Sequence, residues 1–274
     1  MNKPNLIKAE SAANQVLIEY EITEAPVDPL LIASKKGIIV EAAPLENCFG
    51  QFYKLGDKFI ILYSNAIDND RFKRFTVAHE LGHYCLAGHP EYLLENSTHH
   101  QSKGEHLSHD PYEREADEFA ANLLMPKNLF KAQIKKQKTE GMSAIKSLSN
   151  SFETSLISTA LRYVKLTDIP AAIILSENNK VCWFSASKAF KDIPNLSWPQ
   201  KGHAIPRESA TYDASPQSKE GKASMSTQDW CGGSKDIEIQ EEYIDLGSYG
   251  KVLTILTAED YDPEDGMEED DSPW

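Results

Sequence analysis

His79-Glu80-Leu81-Gly82-His83 sets two imidazoles four residues apart. On a helix that spacing places both rings on one face, where they can share a single metal ion. Glu80 sits one step round the same helix and cannot join them as a ligand. It can instead reach a water held at an open coordination position, where a catalytic zinc brings the pKa of the water down to about 7. Glu80 is therefore the candidate general base. A catalytic site of this kind needs a third protein donor with a fourth position left open, and Glu113, on a second helical stretch, is the candidate. Asp117 follows one turn later on the same face and could accept the second ring N–H of a liganding histidine. Glu115 competes for the third place, but it points elsewhere on that helix and has no acidic partner four residues on. The chemistry is metal-assisted hydrolysis of a peptide bond, with Glu80 taking a proton from water and returning it to the leaving amine.

Such donors must stand on rigid elements. Helical signals run from Asp70, a candidate cap, through Phe72, Phe75, Ala78, Leu81 and Leu86, and the acidic motif opens a second amphipathic run that ends at Pro126. Upstream, Asp28-Pro29 starts a helix that stops near Gly37. Residues 38–40 then read as a strand, and residues 49–53 and 59–63 as a hairpin turning at Leu55-Gly56-Asp57. These make a small antiparallel sheet beside the metal helix. Its edge could hold an extended substrate by strand addition, although an edge strand alone is more often structural.

Four widely spaced cysteines, Cys48, Cys85, Cys182 and Cys231, suggest neither a disulfide framework nor a cysteine zinc site. The first ten residues lack an apolar stretch of signal-peptide length, and no later run approaches the roughly 18 apolar residues that span a bilayer. A cytoplasmic protein with no membrane partner is expected. In 274 residues, 28 basic side chains face 42 acidic ones, a net charge of −14, which argues against nonspecific nucleic-acid binding. Nine of the acidic residues lie after Ala258 with no basic residue among them, and that stretch reads as a solvated, disordered tail.

The segments from Arg74 to Tyr84, from Glu113 to Ala120, and Leu123-Leu124-Met125-Pro126 together resemble the ImmA/IrrE family of metallo-endopeptidases, over roughly residues 26–165. The resemblance implies His79, His83 and Glu113 as metal ligands and Glu80 as the catalytic glutamate. It also implies a cytosolic bacterial or phage-related protease, while the ligand type, two histidines and a glutamate, points to zinc as the cofactor, or manganese in the cell. Its protein substrate would be a helix-turn-helix repressor or an antitoxin, cut to switch on a stress-response, mobile-element or defence operon.

The expected fold class is α+β: a zincin-like minimal metallopeptidase core of helices and a small antiparallel sheet, a helical segment of helix-turn-helix type, and a small β-containing C-terminal domain. The expected boundaries are residues 1–25 for an N-terminal arm, 26–140 for the peptidase, 141–168 for the helical segment, 169–258 for the C-terminal domain and 259–274 for the tail. Residues 144–152 and 155–164 form the helical pair. The second offers only Arg162 and then Lys165 as cations, so packing rather than direct nucleic-acid binding is expected of it. Residues 171–175, 181–184, 237–246 and 251–257 read as strands, and residues 191–235 as a long irregular insertion. His89, His99, His100, His106 and His109 fall in a polar stretch between the motifs, read as a solvated loop, with His109 the exception that could donate a proton at the site. His203 is the other candidate donor to an oxyanion. A different class of function also fits the residues: a regulatory binding protein in which the metal is structural or a sensor and no bond is cut.

Overall fold

Asn69, rather than Asp70, begins the helix that carries the two histidines: its side chain accepts the Phe72 N–H at 3.2 Å. Asp70 becomes the first helical residue, where its charge favours the positive helix end. The computed structural model describes residues 3–95, 99–102, 110–247, 250–258 and 261, and the acidic tail expected at 259–274 lies outside them apart from Tyr261. The fold is α+β, as the alternation of helical and strand periods indicates. The chain divides into two units, one of Met1–Gln133 and Leu148–Ser158, the other of Ile134–Ser147 and Thr159–Trp274.

In the first unit, α1 (Leu6–Glu19) is followed by α2 (Pro29–Lys35), where Asp28 caps Leu30 and Leu31 and Gly37 follows with φ of 73°. Strands β1 (Ile39–Ala43), β2 (Gly50–Leu55) and β3 (Lys58–Ser64) come next. They precede α3 (Asp70–Cys85), the short α4 (His89–Leu93), β4 (His99–Ser102), α5 (Pro111–Leu124) and α6 (Lys127–Lys136). The sheet order is β1-β3-β2-β4. The β2–β3 hairpin and the β2–β4 pair are antiparallel, but β1 runs parallel to β3, with Ile39 opposite Ile60.

The core of this unit collects Phe52 and Ile61 from the sheet, Ala78 and Leu81 from α3, Phe119, Leu123 and Leu124 from α5, and Ala9 and Ala13 from α1. Burying Leu81 alone contributes about 1.5–3 kcal/mol. Gly82, a poor helix former by about 1 kcal/mol relative to alanine, lets α3 and α5 come together. A Cβ there would stand 3.0 Å from Phe119 Cδ1 and 3.3 Å from the Ala116 backbone. The outer face of α3 is tied down by arginines. Arg71 donates to Ser149 Oγ and Asn150 Oδ1, both at 2.7 Å, and to the Thr154 carbonyl at 3.2 Å, while Arg74 pairs with Glu153 at 3.2 Å.

Helices α7 (Gly141–Phe152) and α8 (Leu156–Leu166) are the pair read as helix-turn-helix-like, and the division into units passes through both. The second unit adds β5 (Ala171–Glu177), β6 (Lys180–Ala186), α9 (Lys188–Lys191), β7 (Glu220–Ser226), α10 (Thr227–Cys231), β8 (Glu238–Asp245) and β9 (Lys251–Thr257). They form an antiparallel sheet ordered β6-β5-β9-β8-β7 over a core that includes Ile174, Phe190, Trp230, Ile239 and Leu256. The β5–β6 turn uses Asn178 and Asn179 at φ of 50° and 54°, the left-handed pair a tight hairpin requires. β7 falls inside the stretch read as irregular. It is an edge strand with exposed and half-buried residues in alternation, so it carries no apolar signal.

Candidate metal centre

Three donors from two helices meet in the first unit. His79 and His83 are buried on α3 with their Nε2 atoms 3.1 Å apart. Glu113, in the first turn of α5, brings Oε2 to 3.4 Å from His79 Nε2 and Oε1 to 3.2 Å from His83 Nε2. With metal–ligand bonds of about 2.0–2.1 Å, neighbouring corners of a tetrahedron lie roughly 3.3 Å apart. The two ring nitrogens and the nearer carboxylate oxygen of Glu113 to each lie close to that spacing, and these are the residues that group as a candidate cation site among the described residues.

The surrounding groups suit a cation. His79 Nδ1 lies 2.8 Å from Asp117 Oδ1, so with its N–H donated to that carboxylate its Nε2 keeps a lone pair for the ion. Burial disfavours the charged form of His79, but Asp117 and Glu113 outweigh it and raise its pKa well above the ordinary histidine value. His83 is pushed down to about 3 by burial, helped by the neighbouring charge of His79 and against Glu113. Glu113 is partly desolvated, yet hydrogen bonds from His100, His79 and His83 hold its carboxyl far below the usual range.

Glu80 is fully buried on the same helix, and neither carboxylate oxygen has a hydrogen-bond partner. Desolvation pushes its pKa up to about 7, with His79 opposing. Ser102 Oγ, itself without a partner, lies near enough to favour the charged form slightly. A desolvated carboxylate with a pKa near neutrality and both oxygens free is placed to exchange a proton with water or substrate. Gly50, at the start of β2, makes room for it: a Cβ there would overlap Glu80 Oε1 and stand 2.8 Å from Thr76 Cγ2. Gly50→Ala should swing the Glu80 carboxylate aside and lower hydrolytic turnover by up to about a hundredfold for a displacement of roughly 1 Å. Zinc binding should persist. Wild-type turnover by this variant would mean that Glu80 does not work from this position.

Of the histidines in the intervening stretch, His89 and His100 depart from the solvated reading, while His106 lies outside the described residues. His89 is fully buried, with Nδ1 3.1 Å from His83 Nδ1 and Nε2 3.1 Å from Glu115 Oε2. His100, on β4, contacts Glu113 Oε1 through Nε2 at 2.8 Å. Neither carries a local signal. His89 returns only because the chain reverses at Gly88, with φ of 88°, and His100 is held by a four-residue strand poor in β-formers that pairs with the edge of β2. Glu115, the competing third ligand, instead accepts the Asn5 N–H at 2.8 Å and contacts His89. His109 lies outside the described residues. His203 belongs to the second unit, where it is exposed and its Nδ1 accepts the Gln200 N–H at 3.3 Å.

Residues 33–163 match the family model of peptidase M78, the IrrE N-terminal-like domain. The chain carries a peptidase M78 domain. Its two histidines and Glu113 all fall inside the matched residues, as does the sheet that packs on α3. The fold extends beyond this domain: a solved Mycobacterium tuberculosis transcriptional regulator superposes with a TM-score of 0.58 over 91% of this chain and 76% of its own, at 14% sequence identity. Among curated proteins no sequence matches the chain. Arg162 of α8 is buried in the second unit. Cys48, Cys85, Cys182 and Cys231 are all free thiols. No helix among the described residues is long and apolar enough to cross a membrane.

Proposed function

We propose that this chain is a metal-dependent endopeptidase that cuts one cellular protein, a helix-turn-helix repressor or an antitoxin, and thereby releases transcription. The reading rests chiefly on one observation, the convergence of His79, His83 and Glu113 beside the buried, unpartnered Glu80. Two imidazoles and a carboxylate suit zinc, and manganese is the other ion this donor set would accept in a cell. Bound there, the ion supplies a Lewis acid and an acidified water.

The chain's own groups do the rest. Asp117 holds His79 with its proton on Nδ1, so the donor atom stays free. Glu80 takes the proton of the attacking water on a carboxylate oxygen and delivers it to the amine that departs, and its pKa of about 7 suits both transfers near neutral pH. β4 forms one edge of the sheet and carries His100 to Glu113, so an extended substrate added to that edge would lie along the donors. The regulatory target is supported by the likeness of the domain to IrrE and by the fold shared with a transcriptional regulator.

The test is incubation of the metal-loaded protein with small helix-turn-helix proteins encoded beside it, alongside a Glu80→Gln control, with products read by mass spectrometry. Discrete fragments in the intact sample alone are expected. Stable complexes without fragments in either sample would replace this reading by that of a regulator that binds without cutting.

A further inference from the structure

Among the described residues no carboxylate stands against the second ring nitrogen of His83. Asp117 serves His79 directly, but Glu115, two residues earlier on α5, lies out of line with His83, and His89 stands between. His89 opens α4 and is wholly shielded from solvent, with its ring edge-on to Tyr112 at 4.9 Å, and Tyr112 in turn stacks on Tyr92 at 4.0 Å. A residue that merely filled this space would need no nitrogen. His89 has two, and each meets a polar atom at 3.1 Å.

The proton count has one solution. A neutral imidazole has one donor and one acceptor nitrogen. If His83 keeps a lone pair on Nε2 for a metal ion, its proton sits on Nδ1 and must find an acceptor there. His89 Nδ1 is that acceptor only if its own proton is on Nε2, and Nε2 faces a carboxylate, which can only accept. The opposite order would set a lone pair of His89 against Glu115. We propose that His89, oriented by Glu115, is a positioning residue of the metal site that fixes the His83 tautomer and strengthens its grip on a divalent ion.

The inference rests on the reading of His79, His83 and Glu113 as metal ligands, and its test separates the two. Zinc affinity of the metal-free full chain is measured by competition with a chromophoric chelator for the wild type, His79→Ala, His89→Phe, His89→Asn and His89→Gln. Each protein is also unfolded in urea without metal. His89→Phe should bind zinc about 10–100-fold more weakly than the wild type. His89→Asn puts an amide oxygen near the Nδ1 position, within reach of His83, and should recover part of that loss. His89→Gln puts its amide near the Nε2 position and should recover less. This ranking would not follow from metal-free stability, which a packing role would move instead. Equal affinities for the Asn and Gln variants, or wild-type affinity in His89→Phe, would overturn the inference while His79→Ala still fails to bind. A wild type that binds no zinc would overturn the metal site itself.

Discussion

Glu80→Gln should lower turnover by about 10²–10⁴-fold, the range that a positioned proton-transfer group contributes, and in the same protein it should raise stability. The two effects have one origin, a carboxylate held without hydrogen-bond partners in a water-poor site. Burial raises the folded-state pKa of Glu80 from 4.5 to about 7. Below pH 4.5 the group is neutral in both states and its charge costs nothing. Between pH 4.5 and 7 the folded chain holds a proton that the unfolded chain has given up, so stability falls as pH rises. Above pH 7 the full cost remains, on the order of 3 kcal/mol. Glutamine does not titrate, and any cost of its unpartnered amide is the same at every pH. Urea unfolding of the metal-free proteins should therefore show the variant gaining on the wild type from pH 4.5 to 8. Parallel stability curves across that range would remove the buried, proton-holding Glu80 on which the assigned role depends.

Zinc should stabilise the wild type and fail to stabilise Glu113→Ala. An ion bound only by the folded state contributes about 2.7 kcal/mol at a hundred times its dissociation constant and about 4.1 kcal/mol at a thousand times. At this chain length that corresponds to a rise in melting temperature of roughly 5–10 °C at the lower concentration. Chelation with EDTA should return the wild type to its metal-free value and abolish cleavage. Glu113→Ala removes one donor of three and also the partner of His100, so its melting temperature should not move over the same zinc range. An equal shift in both proteins would exclude Glu113 as the third ligand. Glu115 would not be its natural replacement, since both of its oxygens are engaged, by Asn5 and by His89.

The placement of the principal donors was legible because it follows from helical repeats. His79 and His83 share a face at a spacing of four, and so do Glu113 and Asp117, and nothing distant is needed to see either pair. Asp28-Pro29 and the Leu55-Gly56-Asp57 turn are local chemistry in the same sense, and α2 and the β2–β3 hairpin lie where those residues put them. What escaped depends on contacts made across the fold. β4 holds His99-His100-Gln101-Ser102, whose composition has no strand preference, and it exists through pairing with β2. Burial of His89 follows from a backbone reversal at Gly88 and from the approach of Glu115 on α5, neither of which has a periodic signature. Gly50 gave no sign of its importance either, since only the docked position of Glu80 brings its carboxylate to where a side chain there would stand.

The close approach of α3 and α5 at Gly82 also orders events as the chain leaves the ribosome. His79 and His83 emerge together on one helix, but Glu113 is synthesised thirty residues later and reaches them only when α5 has docked. A nascent chain that has exposed α3 alone offers an ion two imidazoles, a weak and unselective pair. On the proposed assignment of ligands, the complete donor set arises only after the helices have packed, and the choice among competing cellular ions would fall to the folded protein rather than to the growing polypeptide.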